Sequence, residues 1–216
     1  RWLAFDRKIS LQSIATFKLR LYVNSLDEVG VVFPIIDRET GAVFDLFARM
    51  IDDKKFFRIT NAILGSTTEY KAPNLWFGNH IFDPQKPVIL VEGAIDALRL
   101  HSLGFHNVLA SFGEPSTEQL ASFYAPVVYL GYDSDATGRE FTKKLVRKLQ
   151  VPSISILDWS VADIKDAGEL ENMEQFRKVF DHRIKILNAP KADKPRVVRG
   201  ESKPKRLFLK DDGTFL

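Results

Sequence analysis

Apolar residues along this chain follow two different rhythms. Between residues 29 and 59 they gather in three short runs, "VGVVFPII" at 29–36, "AVFDLFAR" at 42–49 and "KFFRI" at 55–59. The first two alternate in polarity and flank the turn-forming "DRETG", so the three runs predict a small antiparallel sheet. The preceding "ISLQSIATFKLRL" reads as a short helix and its exit. From "NAILGSTTEYKAPN" to "FDPQKP", Gly, Ser, Thr, Asn and Pro mark a loop-rich connection, and a subdomain boundary is expected close to Pro84.

Beyond that boundary the rhythm changes. Short, nearly all-apolar runs, "PVILVE", "NVLAS", "PVVYLGYD" and "SISILD", alternate with the helical segments "GAIDALRLHSLG", "STEQLASFY", "ATGREFTKKLVRKLQ" and "AGELENMEQFRKVF". Continuous apolar strands separated by helices predict a parallel sheet covered on both faces. In the third helical segment Phe141, Leu145 and Leu149 form an apolar stripe at i, i+4, i+8, and Lys143, Lys144, Arg147 and Lys148 lie mostly off it, as a solvated face would. The expected class is α/β, α+β over the whole chain, in three parts. Residues 1–84 form a small mixed, antiparallel N-terminal subdomain, 85–185 a parallel sheet flanked by helices, and 186–216 a basic linker or tail rich in Lys, Arg and Pro.

Composition narrows the chemistry. The chain has no cysteine, which excludes disulfides and a thiolate zinc ribbon, and its four histidines have no ligand spacing. His101 and His106 fall on or after a helix and are expected at the surface. Any metal must be held by oxygen. No apolar run approaches the ~18 residues of a membrane span and no signal-peptide pattern opens the chain, so a cytoplasmic protein without a membrane partner is expected. A formal charge of +3, in a chain that also clusters acids, points to a polyanionic partner. The chain opens on Arg1, which suggests a piece of a longer protein.

The acids stand where strands run out. Glu92 ends "VILVE", Asp133 and Asp135 follow "VVYL" in "LGYDSDATGRE", and Asp166 lies beyond "SISILD" in "IKDAGEL". If the strands are parallel, all four fall on the edge where ligands bind in open α/β sheets. Such crowding raises carboxylate pKa values and disfavours the fold unless cations neutralise it. All-oxygen ligation by carboxylates favours Mg²⁺ or Mn²⁺, shared with waters and substrate phosphates. Gly93 and Gly138 open the following helices, where a missing side chain would let a phosphate or metal approach the backbone. Taken singly, a strand-end Glu-Gly is more often a helix N-cap region and Asp-x-Asp more often turn chemistry. It is the joint order of the motifs that argues for a site.

That order, "VILVEGAIDAL" followed some 40 residues on by "VVYLGYDSDATGRE", resembles the Toprim domain shared by primases, topoisomerases and several nucleases. "EGAIDALRLHSLGFHNVLASFGEPSTEQL" is similar to the bacterial and phage primase form, and "VVFPIIDRETGAVFDLFARM" to the amino-terminal part of the primase catalytic core, with "ISLQSIATFKLRL" resembling its opening helix. The resemblance covers about residues 8–180. It implies that Glu92, Asp133 and Asp135 are catalytic, metal-binding acids and Asp166 a further metal ligand. Where the commonest bacterial pattern is Asp-Pro-Asp, this chain reads Asp-Ala-Gly-Glu, so the second Asp is absent and Glu169 is left as a candidate replacement. Arg49 matches a strand-borne arginine facing nucleotide and template. The family's Lys-Tyr pair corresponds to Lys55-Phe56, or in reversed order to Tyr70-Lys71, and Arg58 stands where Asn is common. Lys55, Arg58 and Lys71 therefore join Arg49 as nucleotide- or template-binding candidates, against the plainer reading of a solvated strand face.

By resemblance the implied activity is that of a DNA primase catalytic core, making short RNA primers on single-stranded DNA from NTPs by metal-dependent nucleotidyl transfer. The implied partners are the template, NTPs, the RNA primer and a replicative helicase domain or protein, in a bacterial cell or phage-infected host. The alternatives are a Toprim-family metal-dependent nuclease, which uses the same acids for cleavage, or a non-catalytic nucleic-acid-binding module. A topoisomerase would need a tyrosine nucleophile from a further large domain, and Tyr132 inside the acidic motif is badly placed for that.

Overall fold

The computed structural model describes residues 1–52, 55–59 and 76–186. Two short helices open the chain, α1 (Trp2–Phe5) and α2 (Leu11–Thr16). The second starts at Ser10, whose hydroxyl accepts from the Ser13 N–H at 3.1 Å. Strands β1 (Arg20–Val23), β2 (Val29–Ile36), β3 (Val43–Met50) and β4 (Phe56–Arg58) follow, antiparallel and in sequential order. The exit of the first helical segment thus becomes the edge strand of the sheet. Pairing of Arg49 with Phe56 and of Phe47 with Arg58 puts these four side chains on one face. The opposite face carries Val32, Leu46, Ala48 and Ile59 in a small core of its own, with Phe57 packed against it.

The second sheet has the order β6-β5-β7-β8-β9. Strands β5 (Val88–Val91), β6 (Val108–Ala110), β7 (Val128–Leu130) and β8 (Ile154–Ile156) are mutually parallel. The last strand, β9 (Ile184–Ile186), runs antiparallel along β8, an edge not anticipated from the pattern. The intervening helices are α3 (Ala94–Ser102), α4 (Thr117–Ala121), α5 (Ala136–Lys148) and α6 (Met173–Asp181). The last of these was expected over 167–180 but splits. A 3₁₀ turn covers Ala167–Glu169, and α6 begins only after Asn172, whose side chain accepts from the Glu174 and Gln175 N–H groups at 3.0 and 3.1 Å.

One hydrophobic core joins the two halves: Phe17, Val31 and Phe33 pack in the same cluster as Val91, Leu98 and Trp159. Helix α3 lies in the middle of it and is buried on every side, so its polar residues all need partners. Arg99 donates to the carbonyls of Leu170 (2.7 Å), Lys8 (2.8 Å) and Glu171 (2.8 Å), tying the N-terminal loop to the segment before α6.

His101 contradicts the expectation of a surface residue: it is only 6% exposed, and its Nδ1 is hydrogen-bonded to the Ser13 hydroxyl at 2.8 Å, with Phe17 edge-on to its ring. A polar residue on a helix turned fully inward is what the amphipathic assumption missed. Burial, with His106 and His80 nearby, lowers its pKa to about 4. A folded pKa depressed below the unfolded value of about 6.5 makes the stability it contributes fully present above pH 6.5 and progressively lost as pH falls toward 4. We predict that His101→Gln flattens this part of the acid limb, measured as the pH dependence of urea unfolding between pH 7 and 4.5. An unchanged slope would place the titration elsewhere.

Candidate active site

The parallel strands deliver the predicted acids to one edge. Glu92 follows β5 directly, Asp133 lies three residues beyond β7, and Asp166 lies in the connection beyond β8. Glu92, Asp133 and Asp166 line a single cavity of about 480 Å³. Asp135 stands just outside its lining as the N-cap of α5, accepting from the Gly138 N–H at 2.9 Å. It therefore carries the plain capping role as well as its place in the acid group.

The two glycines do something other than leave room for phosphate. A Cβ on Gly93 would come within 2.7 Å of the Asp96 carboxylate, and one on Gly138 would overlap the Asp133 carbonyl oxygen. The space is filled by the protein's own backbone and acids, and the expectation of a phosphate approach there is corrected accordingly.

Asp96 is the acid that sequence reasoning missed. It sits on the first turn of α3, four residues after Glu92, and accepts from the Gly93 N–H and the Gly168 N–H, both at 3.0 Å. The Glu-x-x-x-Asp spacing, which returns an acid to the strand's end after one helical turn, was the available signal. Gly168 occupies the place where the commonest bacterial pattern has its second Asp. A Cβ there would stand 2.9 Å from Asp96 Oδ1 and 3.0 Å from Asp166 Oδ1, so the departure from that pattern is coupled to the seat of Asp96. Glu169 does not replace the missing acid in the cavity: it is exposed, and its Oε2 accepts from the Lys165 N–H at 2.8 Å.

The electrostatics are those of an acid group short of counter-charge. Glu92 is raised above the usual carboxylate range by burial and by the nearby Asp133 and Asp135. Asp166 is raised by burial and by Asp133 and Glu169, and Asp96, fully enclosed, is raised further by burial and by Asp166. Asp135 is lowered by the Gly138 N–H and by Lys165. Lys165 is the cation in reach: its Nζ lies 2.9 Å from Asp133 Oδ2 and 3.2 Å from Asp135 Oδ2, and both acids raise its pKa.

Among the described residues no three acids or imidazoles are gathered closely enough to enclose an ion as they stand. The donor chemistry nonetheless suits a hard divalent cation. The ligands available are all carboxylate oxygens, they are mutually repelling, and two of them already share a positive charge between them. Glu92, Asp133 and Asp166, with Asp135 beside them, are the carboxylates this edge offers such an ion.

The basic candidates divide. Arg49 lines the cavity, its guanidinium carbon 5.5 Å from the centre of the Trp2 ring, and burial with Arg7 alongside lowers its pKa. Its Nε is buried with no hydrogen-bond partner among the described residues. Arg7, unforeseen in the sequence, lines the same cavity and stacks on the same indole at 5.2 Å. Lys55 is one residue out of phase with Phe56 and belongs to the other face of the sheet, where its Nζ lies 5.6 Å from the Phe57 ring centre. Arg58 forms a salt bridge to the buried Asp45 at 3.0 Å. Lys71 lies outside the described residues, as does the alternative pairing through Tyr70. On the presumed solvated face of α5, Lys143 pairs with Glu140, and Lys144 and Lys148 pair with Glu114.

A family model described as Toprim-like matches residues 89–170, which hold Glu92, Asp96, Asp133, Asp135 and Asp166. Over 167 residues the chain is 29% identical to a DNA primase of Clostridium acetobutylicum, covering 73% of this chain and 27% of that protein. It spans less than a third of the length of the curated primases it matches first. Among solved structures, the zinc-binding and RNA polymerase domains of the Aquifex aeolicus primase align with a TM-score of 0.65 at 21% identity, over 84% of this chain and 55% of that one. The primase fragment of the bacteriophage T7 primase-helicase aligns with a TM-score of 0.65 at 20% identity, over 82% and 71%.

The lysine between the two aspartates yields a prediction about the chain without substrate. Replacing Lys165 by Met removes the charge that an incoming ion has to displace, so Mn²⁺ should bind about three- to tenfold more tightly, the range expected from two exposed ion pairs. Without metal the variant should melt lower than the wild type, because the acids lose their counter-charge. Titration calorimetry and melting curves measure the two effects, and weaker Mn²⁺ binding in the variant would show that the lysine supports the ion instead of competing with it.

Proposed function

We propose that this chain, which is folded as a Toprim-containing primase core, is the RNA-polymerising part of a DNA primase, joining ribonucleotides on a single-stranded DNA template. The observation that carries this reading is a single cavity lined by Glu92, Asp133 and Asp166 together with Arg7 and Arg49. Nucleotidyl transfer needs both: anionic ligands for divalent cations, and cationic donors for a triphosphate.

In this reading Glu92, Asp133, Asp135 and Asp166 hold Mg²⁺ or Mn²⁺. A divalent ion bound there would supply Lewis acidity toward an attacking hydroxyl and charge balance for the leaving pyrophosphate. The chain's own residues do the placing. Arg49 and Arg7, steadied on the Trp2 ring, meet phosphate oxygens of the nucleotide. Asp96, locked by two backbone N–H groups, fixes the turn that carries Gly168. Asp135 caps α5, so its carboxylate is held in a fixed rotamer next to Asp133. Lys165, once displaced, stays within reach of substrate phosphate. No described His stands in the cavity lining to act as a base.

Arg58, committed to Asp45, holds strand β4 in place, and Lys55 is assigned to the template backbone on the far side of the sheet. A replicative helicase, as an adjoining domain or a separate protein, completes the assignment. Among the described residues no helix is long and apolar enough to cross a membrane.

The test is an incubation with single-stranded DNA, labelled NTPs and Mg²⁺ or Mn²⁺, read for extension products and for degraded template. Primer synthesis is expected, and Asp133→Asn should lower it on the order of 100-fold or more while the melting curve stays cooperative. Template degradation without synthesis would replace this reading with the nuclease one.

A further inference from the structure

The cavity has a third wall that neither the acids nor the arginines explain. Phe33, Phe56 and Phe112 line it, brought together from two parts of the fold: Phe33 and Phe56 from the inner face of the antiparallel sheet, Phe112 from the turn after β6. Phe56 stacks on Phe47 with ring centres 5.4 Å apart and planes 8° from parallel, and Phe112 closes against both at 4.9 and 4.6 Å. Most of this cluster is packing between the two sheets. Phe56 is not fully used by that packing, for it remains 41% exposed on the face that looks into the cavity. Phe112 holds a left-handed backbone (φ 56°), costly for an aromatic residue, and its N–H donates to the Glu92 carbonyl at 2.9 Å. Ring and metal-site acid are thus set by one hydrogen-bonded corner.

A cavity of this volume takes one small molecule. Its acid wall calls for cations and its arginine wall for phosphate, while the aromatic wall calls for a flat apolar face. Only one part of a nucleotide has such a face. We propose that Phe56, backed by Phe47 and Phe112, is the seat on which the base of the incoming nucleotide stacks, with its triphosphate reaching toward Arg49 and the acids. The inference rests on the nucleotidyl-transfer reading above and names a binding subsite within it. Because the contact uses a ring face and no base-edge donor or acceptor, it holds all four bases with little discrimination.

The experiment compares ATP with inorganic tripolyphosphate, each titrated calorimetrically into the chain with Mg²⁺. The wild type should bind ATP more tightly than tripolyphosphate. Phe56→Leu, which keeps apolar bulk and removes the ring face, should weaken ATP about tenfold and leave tripolyphosphate unchanged, in line with the loss of one base–aromatic stack. Phe56→Trp should bind ATP at least as tightly as the wild type, and this arm decides the matter if the Leu variant melts abnormally. Equal losses on both ligands, no loss on either, or a weakened Trp variant would overturn the base seat. So would a Leu variant that loses single-stranded DNA but not ATP, since the ring would then be holding template. Wild-type binding of ATP and tripolyphosphate with equal affinity would remove the seat and leave the nucleotidyl-transfer reading standing. Failure of the wild type to bind either ligand would remove that reading as well.

Discussion

Like charges gathered at the end of a parallel sheet repel, and much of this structure can be understood as the means of keeping them there. Strands β5 and β7 and the connection after β8 bring Glu92, Asp133 and Asp166 to one edge because parallel strands finish on the same side. Burial removes the water that would screen them, and Glu92, Asp96 and Asp166 are all pushed toward protonation as a result. The offsetting elements are local: two backbone N–H groups on Asp96, a helix N-terminus under Asp135, and Lys165 between Asp133 and Asp135. They hold the acids without fully neutralising them, a balance suited to a site that receives a divalent cation.

Helix α3 connects this edge to the rest of the molecule. Its first turn carries Asp96 into the acid group, its middle carries Arg99 to three carbonyls, and its last turn carries His101 to Ser13 of α2. A helix buried on all sides can keep polar residues only where each has a partner, so the three contacts register the N-terminal segment, the Gly168 turn and the five-stranded sheet against each other. The arginines that share the cavity with the acids depend on the same arrangement, since Arg7 and Arg49 both rest on Trp2 at the start of the chain.

The features that could be read from the sequence are those set by short-range pattern. Two apolar runs flanking a turn gave β2 and β3, apolar runs between helical segments gave the parallel sheet, and strand ends followed by acids located Glu92, Asp133, Asp135 and Asp166 at one edge. Features that depend on tertiary contact were not legible. His101 was expected at the surface and Asp96 drew no reading at all, because nothing local in the sequence shows that α3 is buried all round. Arg7 reaches the cavity through a tertiary contact, sharing the Trp2 ring of α1 with Arg49 of β3, and Lys165 carries no motif beyond its position before Asp166. Lys55 shows how narrow the margin is in a strand: one residue of phase separates it from Phe56 and turns it to the opposite face. The short edge strand β9, two of whose three residues are exposed, gave too little pattern to be read.

The central claim is that the carboxylate edge holds a divalent cation in place of Lys165. Anomalous diffraction from crystals of this chain grown with Mn²⁺ tests it most directly. The account predicts a manganese peak among Glu92, Asp133 and Asp135, with the Lys165 ammonium moved off both aspartates. A peak elsewhere, or Lys165 still paired with Asp133 and Asp135 beside a site without manganese, would contradict it.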